Sequence, residues 1–288
     1  MLANDIKQEY PFGSHYLDIK GNELHYVDEG EGEVMLMVHG NPTWSFFYRN
    51  LIKHFAKTHR VIAPDHIGCG LSSKPQDYDY RLSNHVNNLE KLVLDLDLKN
   101  ITLIVHDWGG AIGMGLATKY PERIKQMIIM NTAAFASLEI PFRINILRNP
   151  IGEWFIRNFN GFAGPATFMA VEKPMSKVVK NGFIYPYKNF STRIATAKFV
   201  RDIPMSENHP TYNTLKNIEN NLKNISSPVL LLWGAKDFCF TLNFQKRWLD
   251  FFPKAKVKVL SNAGHYLIED EQETVIDEIS NFIKENEK

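Results

Sequence analysis

Short apolar runs alternate with amphipathic stretches over the first half of the chain. Four continuous apolar runs predict buried strands, at residues 34–38, 61–63, 103–105 and 127–130. Apolar residues at helical spacing predict helices between them, over 46–55, 82–96 and up to Tyr120. An alternating stretch at 16–28 predicts a hairpin that turns at Gly21. Strands that alternate with helices indicate an α/β fold, with a mostly parallel sheet covered on both faces.

This rhythm breaks between residues 135 and 212, where no apolar run predicts a buried strand. Short helical patterns are separated there by Pro and Gly, and eight of the nineteen Phe residues lie between Phe135 and Phe190. The sheet then resumes with strands at 228–233 and 257–260, followed by an amphipathic helix at 271–284. We therefore expect a core made of residues 1–134 and 213–288, with residues 135–212 inserted as a helical cap. Most of these Phe residues should pack the cap's own small core, and a few should reach a pocket.

Composition narrows the classes of function. The net charge is +1, the isoelectric point is near 7.8, and no block of like charge occurs, so nucleic acid is not an expected partner. No apolar run is long enough to span a bilayer, and residues 1–13 lack the apolar core of a secretion signal. Cys69 and Cys239 lie far apart, without the spacing of metal ligands. These observations favour a reducing, cytoplasmic location and a site without a metal or other cofactor.

The apolar run at 103–105 ends at Asp107, and small residues then open a helical pattern. This is the layout of a nucleophile elbow, a sharp strand-to-helix turn that lifts one reactive side chain above the sheet. The usual residue there is Ser, and this chain has Asp107. A carboxylate is already ionised at neutral pH. Asp107 can therefore displace a leaving group at a saturated carbon without a base, forming an ester with the substrate.

Two later strands are followed by Asp237 and His265, which gives the nucleophile, acid, histidine order of α/β-hydrolases. The carboxyl ends of parallel strands meet at one edge of the sheet, so these side chains should converge. His265 should act as the base for water that attacks the ester, and Asp237 should orient its ring. The backbone N–H of Trp108 and one from the loop 39–41 are candidate donors to the ester carbonyl oxygen.

Other acids are possible partners of His265. Glu269 and Asp270 follow it closely and start a predicted helix, so helix-terminus electrostatics explains them well enough. The position after the strand at 127–130 could also hold an acid, but it is occupied by Asn131. We therefore prefer Asp237 as the third member of the triad.

A leaving group also needs stabilisation. The indole N–H of Trp108 and the side-chain amide of Asn41 lie beside the expected nucleophile and suit a weakly hydrated halide. The alternatives are core packing for Trp108 and loop capping before Pro42 for Asn41. Structural roles are expected for the remaining polar and aromatic candidates, which are Asp65, His66, His106, Tyr185, Tyr187 and Tyr212.

Three motifs resemble the haloalkane dehalogenase branch of the α/β-hydrolase superfamily, and above all its third subfamily. They are His39-Gly40-Asn41-Pro42-Thr43-Trp44-Ser45, Asp65-His66-Ile67-Gly68-Cys69-Gly70-Leu71-Ser72 and His106-Asp107-Trp108-Gly109-Gly110. The resemblance implies Asp107 as nucleophile, His265 as base, Asp237 as acid, and Asn41 with Trp108 as the halide pair. The implied reaction turns a haloalkane, a small apolar substrate, into an alcohol and a halide ion.

Other segments are similar to the β-lactone decarboxylases of long-chain olefin synthesis, which belong to the same subfamily. These include Asn131-Thr132-Ala133-Ala134-Phe135, Trp233-Gly234-Ala235-Lys236-Asp237-Phe238 and Ala263-Gly264-His265-Tyr266. This resemblance implies the same triad, release of carbon dioxide with formation of a cis-alkene, and an oligomer or assembly with pathway enzymes. Epoxide hydrolase activity is a further alternative, which would need two cap Tyr residues as proton donors. A non-catalytic receptor is a fourth alternative, and the intact triad argues against it.

Overall fold

The computed structural model describes residues 4–286. Its strands form one eight-stranded sheet in the order β1-β2-β4-β3-β5-β6-β7-β8. The strands are β1 His15–Ile19, β2 Asn22–Glu29, β3 Val34–Val38, β4 Arg60–Pro64, β5 Ile101–His106, β6 Ile124–Met130, β7 Val229–Gly234 and β8 Lys256–Leu260. Strand β2 is antiparallel to both of its neighbours, and every other pairing is parallel. The mostly parallel sheet and the hairpin predicted from the sequence are both confirmed.

Thirteen α-helices lie within the described residues. They are α1 Asn4–Glu9, α2 Arg49–Phe55, α3 Leu82–Asp95, α4 Trp108–Lys119, α5 Phe142–Asn145, α6 Pro150–Phe159, α7 Ala163–Met169, α8 Lys177–Ile184, α9 Ile194–Arg201, α10 Tyr212–Asn221, α11 Leu242–Phe251, α12 Leu267–Asp270 and α13 Gln272–Asn286. Short 3-10 turns lie at Ser45–Tyr48, Pro121–Arg123, Ser191–Arg193 and Leu222–Asn224. The helix expected at 46–55 thus begins as a 3-10 turn.

Alternate residues of the central strands face opposite sides of the sheet, which creates two hydrophobic cores. Leu103 and Val105 of β5 pack into one core, together with α3, α4, α10 and α11. Ile104 packs into the other core, together with α1, α2 and α13. Burial of both faces explains why these strands read as unbroken apolar runs. It also leaves the carboxyl edge of the sheet as the place where polar side chains can gather.

Helices α5 to α10 lie between β6 and β7, and α5 to α9 fall within residues 135–212, the insertion predicted from the sequence. The prediction for its Phe residues was wrong in part. Five of the eight side chains are at least 43% exposed, namely those of Phe142, Phe155, Phe159, Phe168 and Phe190. The insertion's own core is instead small and aliphatic, with Ile156, Ala197 and Val200 at its centre. Phe135 and Phe183 pack into the two large cores. The division of the chain at residues 134 and 213 remains a prediction.

None of the helices formed by residues 4–286 has the length and apolar character needed to cross a bilayer.

Candidate active site

Asp107 lies at the turn between β5 and α4, with backbone angles φ 51° and ψ −129°. This conformation is strained for a residue with a side chain, and such strain gathers at functional sites. The turn is tight enough that a Cβ atom on Gly109 would collide with the Val38 carbonyl, and one on Gly110 would collide with the Thr132 side chain. The two glycines let the helix start directly against the sheet. The predicted elbow is therefore present, with Asp107 at its apex.

The three candidate catalytic residues converge although they are far apart in the chain. His265 Nδ1 lies 2.8 Å from Asp237 Oδ2, which is hydrogen-bond distance. On the other side of the ring, Nε2 lies 3.6 Å from Asp107 Oδ2. The His265 ring thus lies between the two carboxylates, with one nitrogen directed to each.

Two backbone donors hold the Asp107 carboxylate. The N–H of Asn41 donates to Oδ1 at 2.6 Å, and the N–H of Trp108 also donates to this carboxylate. These are the two donors predicted from the elbow and the loop 39–41. They are placed to hold the carbonyl oxygen of an ester formed on Asp107.

Burial and charge set the protonation of this pair. Burial raises the pKa of Asp107 above its ordinary value, although His265 and the two backbone N–H groups oppose the shift. Burial alone would lower the pKa of His265, but the negative charges of Asp237 and Asp107 outweigh it and the pKa is raised. The two neighbouring acids thus favour the protonated form of His265, whereas burial disfavours the charged form of Asp107.

Asn131 is a further functional candidate, although from the sequence alone it only occupies a position where an acid could stand. Its fully buried side chain donates from Nδ2 to Asp237 Oδ2 at 2.7 Å, and its Oδ1 accepts from the Gly234 N–H at 2.8 Å. Asp237 Oδ1 in turn accepts from the Cys239 N–H at 2.6 Å. Asn131 thus ties the end of β6 to the loop that carries Asp237. The available signal was a polar residue directly after a buried strand at this edge.

The rival acids are engaged elsewhere. Glu269 forms a two-pronged ion pair with Arg49, at 2.5 and 2.8 Å. Asp270 accepts hydrogen bonds from the backbone N–H groups of Gly264, Glu172 and Lys173. The preference for Asp237 over both is supported. Both acids lie in the first turn of α12, as the helix-terminus explanation expects, and each also has specific partners outside that helix.

Two adjoining apolar cavities open above Asp107. The first, of about 130 Å³, is lined by Trp108 and by side chains from the loop after β6 and from α9 to α11. The second, of about 220 Å³, is lined by His265, Tyr266 and side chains of α5 and α7. Asn41 lines both cavities. Asn41 and Trp108, the predicted leaving-group donors, thus line the first cavity together with Asp107, and Asn41 Nδ2 donates to the Thr196 carbonyl at 3.2 Å.

The remaining candidates make structural contacts. Asp65 accepts from His25, Ser45 and Leu71 and ties its loop together. His66 and His106 bond the backbone carbonyls of His39 and His265, respectively. None of Tyr185, Tyr187 and Tyr212 lines either cavity above Asp107. These three hydroxyls are therefore not among the described groups that line the cavity space at the nucleophile.

Comparison with known proteins fits this geometry. Residues 33–272 match the model of the alpha/beta hydrolase fold family. The chain is 44% identical to a cis-3-alkyl-4-alkyloxetan-2-one decarboxylase of Shewanella oneidensis, over 96% of this chain and 90% of the relative. It is 29% identical to haloalkane dehalogenase 2 of Mycobacterium bovis, over 91% and 92% of the two chains.

Among solved structures, an ancestral haloalkane dehalogenase superposes with a TM-score of 0.87 at 27% identity, covering 95% of this chain and 99% of the other. The family match spans most of the chain, and the relatives extend over nearly all of it. This chain belongs to the alpha/beta hydrolase fold family and is a haloalkane dehalogenase-like α/β-hydrolase.

Proposed function

We propose that this chain decarboxylates β-lactones that carry an alkyl group on each of two adjacent ring carbons, giving cis-alkenes. The observation that carries the proposal is 44% identity to a cis-3-alkyl-4-alkyloxetan-2-one decarboxylase over 96% of the chain, against 29% to the dehalogenase. An apolar site with one ionisable nucleophile supports the same reaction, because the substrate has a single reactive, strained ring between two apolar alkyl groups.

In the proposed first step, Asp107 attacks the saturated ring carbon that bears the ring oxygen. A new C–O bond forms to Asp107, and the ring C–O bond breaks with its electron pair left on the departing carboxylate. The product is an ester on Asp107 whose neighbouring carbon carries a free carboxylate. In this proposal, the indole N–H of Trp108 and the amide of Asn41 stabilise the charge that leaves, since both residues line the cavity at Asp107.

In the second step, the bond between that carbon and its carboxylate breaks and releases carbon dioxide. Its electron pair forms the alkene, and the Asp107 carboxylate leaves as an anion. The first step inverts the attacked carbon, and in the second step carbon dioxide and the Asp107 carboxylate depart from opposite faces. Both alkyl groups therefore end on the same side of the new double bond. The N–H groups of Asn41 and Trp108 receive the returning charge. In this step a protonated His265, held by Asp237, supplies a positive charge 3.6 Å from Asp107, and no water is consumed.

Haloalkane hydrolysis is the second candidate, and the placement of Asn41 and Trp108 beside Asp107 favours it. Displacement of a halide would give an alkyl ester without a neighbouring carboxylate. That ester can be removed only by hydrolysis, in which neutral His265 acts as the base that activates water. Epoxide hydrolysis has less support, because the cap Tyr residues considered as proton donors do not line the cavities.

A parallel assay separates these reactions. The purified chain is offered a bromoalkane and a cis-dialkyl β-lactone of similar size, with Asp107→Asn as the matched control. We expect alkene and carbon dioxide from the lactone, and none from the control. If the bromoalkane gives bromide and alcohol while the lactone does not react, the chain is a dehalogenase and the proposed decarboxylation is wrong. Inertness toward both would remove both functions.

The wider setting is also a proposal. The exposed Phe side chains of the cap are consistent with an oligomer or an assembly with pathway enzymes, in which a partner would cover them. Sedimentation of the purified chain alone tests self-association, because a monomer at every concentration would argue against it.

The location is a proposal too. Cys69 and Cys239 are both free thiols, consistent with a reducing, cytoplasmic location.

A further inference from the structure

The cavity space above Asp107 is divided into two chambers. Chamber A, the cavity lined by Ala133, Val200, Leu215 and Phe244, lies toward α9, α10 and α11. Chamber B, the cavity lined by Leu147, Ala166, Met169 and Tyr266, lies toward α7. The two share only a waist, formed by Asn41, Asp107, Ile144, Phe162 and Cys239. The nucleophile therefore stands where two apolar spaces meet.

We propose that each chamber receives one of the two alkyl groups of the substrate, with the reacting ring held at the waist. This rests on the proposed lactone decarboxylation and goes beyond it, because it assigns a separate subsite to each chain. The two alkyl groups of a cis-lactone leave adjacent ring carbons on one face, so they begin close together and must then diverge. A substrate with a single tail would need only one chamber.

The size of the chambers supports this assignment. A dry apolar cavity of about 150 Å³ holds one benzene ring. Chambers of about 130 and 220 Å³ are therefore each suited to the first several carbons of one chain. Neither is suited to both chains together.

The outer ends of the chambers differ in charge. The exposed Glu139 lies on the lining of chamber A, and the exposed Arg143 lies on the lining of chamber B. Exposure of these side chains shows where each chamber approaches solvent. Longer chains would leave the protein past Glu139 in one direction and past Arg143 in the other.

Two alanines provide a matched test. Ala133 lines only chamber A and Ala166 lines only chamber B, and both are partly exposed to the cavity space. Ala133→Phe and Ala166→Phe each fill one chamber without changing Asp107, His265 or Asp237. If thermal unfolding shows that either variant is poorly folded, Leu at the same position replaces Phe.

The readout is binding of two unreactive cis-dialkyl cyclobutanones, measured by calorimetry. One carries a hexyl group next to the carbonyl and a methyl group on the following carbon, and the other has these groups exchanged. Each variant should weaken binding of one ligand by at least about tenfold, the effect of excluding about two methylene groups, and leave the other nearly unchanged. The two variants should have opposite preferences. A dimethyl analogue should bind both variants as it binds the original chain.

Equal weakening of both ligands by both variants would overturn the two-chamber assignment. So would unchanged binding in both variants, or no binding of either ligand to the original chain. Failure of the proposed reaction has a different result, in which the cyclobutanones bind with the expected preferences but no lactone yields an alkene.

Discussion

Replacing Asn131 with Ala should damage both the stability of the protein and the reaction. The fully buried Asn131 side chain bonds the charged Asp237 carboxylate and accepts from the Gly234 N–H. Removing a bond to a charged group costs about 1.5–3 kcal/mol, and leaving a buried N–H unpaired costs about 1–3 kcal/mol. Asn131 also has a positive φ of 36°, which Ala tolerates less well. We expect a total loss of about 3–5 kcal/mol in the free energy of unfolding.

The activity of Asn131→Ala should fall by about ten- to a hundredfold, because Asp237 would no longer be fixed in place against His265. The assay combines urea unfolding with kcat/KM on the preferred substrate. Asn131→Gly is the matched control, since it removes the same bonds and tolerates the positive φ. It should be more stable than Asn131→Ala and equally slow. A variant with unfolding free energy and rate close to those of the original chain would refute the role given to Asn131.

Asn131→Asp tests the direction in which stability changes with pH. It places a second carboxyl within hydrogen-bond distance of Asp237, so one of the two should keep a proton and have a raised pKa in the folded state. A raised pKa means that the folded protein binds the proton more tightly than the unfolded chain does. Its stabilising contribution is then present below the unfolded pKa and lost as pH rises through the folded one. The melting temperature of this variant, relative to the original chain, should fall from acid to neutral pH. A constant difference would contradict the argument.

Three further predictions concern the nucleophile and its neighbours. Asp107→Asn should abolish turnover, because the nucleophile is removed. It should also raise the free energy of unfolding by about 1 kcal/mol, because it removes the charge of a buried carboxyl group whose pKa is raised by burial. A destabilised variant in urea unfolding would contradict this. In the original chain, kcat/KM should begin to fall on acidification while the pH is still above the ordinary pKa of an Asp carboxyl, since protonated Asp107 cannot attack. A kcat/KM that stays constant down to that ordinary pKa would count against the raised pKa of Asp107. Trp108→Phe removes the indole N–H but keeps a ring, so kcat should fall by about a hundredfold while the melting temperature changes little. An unchanged kcat would exclude the indole as a donor to the leaving group.

Much of the fold could be predicted because the central strands are buried on both faces. Such strands are short, continuous apolar runs, and β3, β5, β6 and β7 all have this form. The exposure of the cap's Phe residues could not be predicted in the same way. Composition reports how many apolar side chains a segment has, whereas their direction depends on how helices of 4–10 residues pack. These helices are too short for a reliable periodic pattern.

The candidate site was predictable where a residue's role follows from its place after a strand. Asp107, Asp237 and His265 each follow a predicted strand within a few residues, so their convergence at one sheet edge could be expected. Asn131 was missed because its partner Asp237 lies 106 positions away, and the contact depends on β6 lying beside β7. The ion pair of Glu269 could not be predicted for the same reason, since its partner Arg49 is 220 positions distant.

The central claim is that Asp107 forms a covalent ester with its substrate, and trapping that ester tests it most directly. In His265→Phe, an alkyl ester formed from a bromoalkane should persist, because it has no neighbouring carboxylate to lose and no base to activate water. Mass analysis of the digested protein should then place one alkyl group on the peptide that contains Asp107, and Asp107→Asn in the same background should carry none. Absence of the adduct, or its location on another residue, would contradict the account.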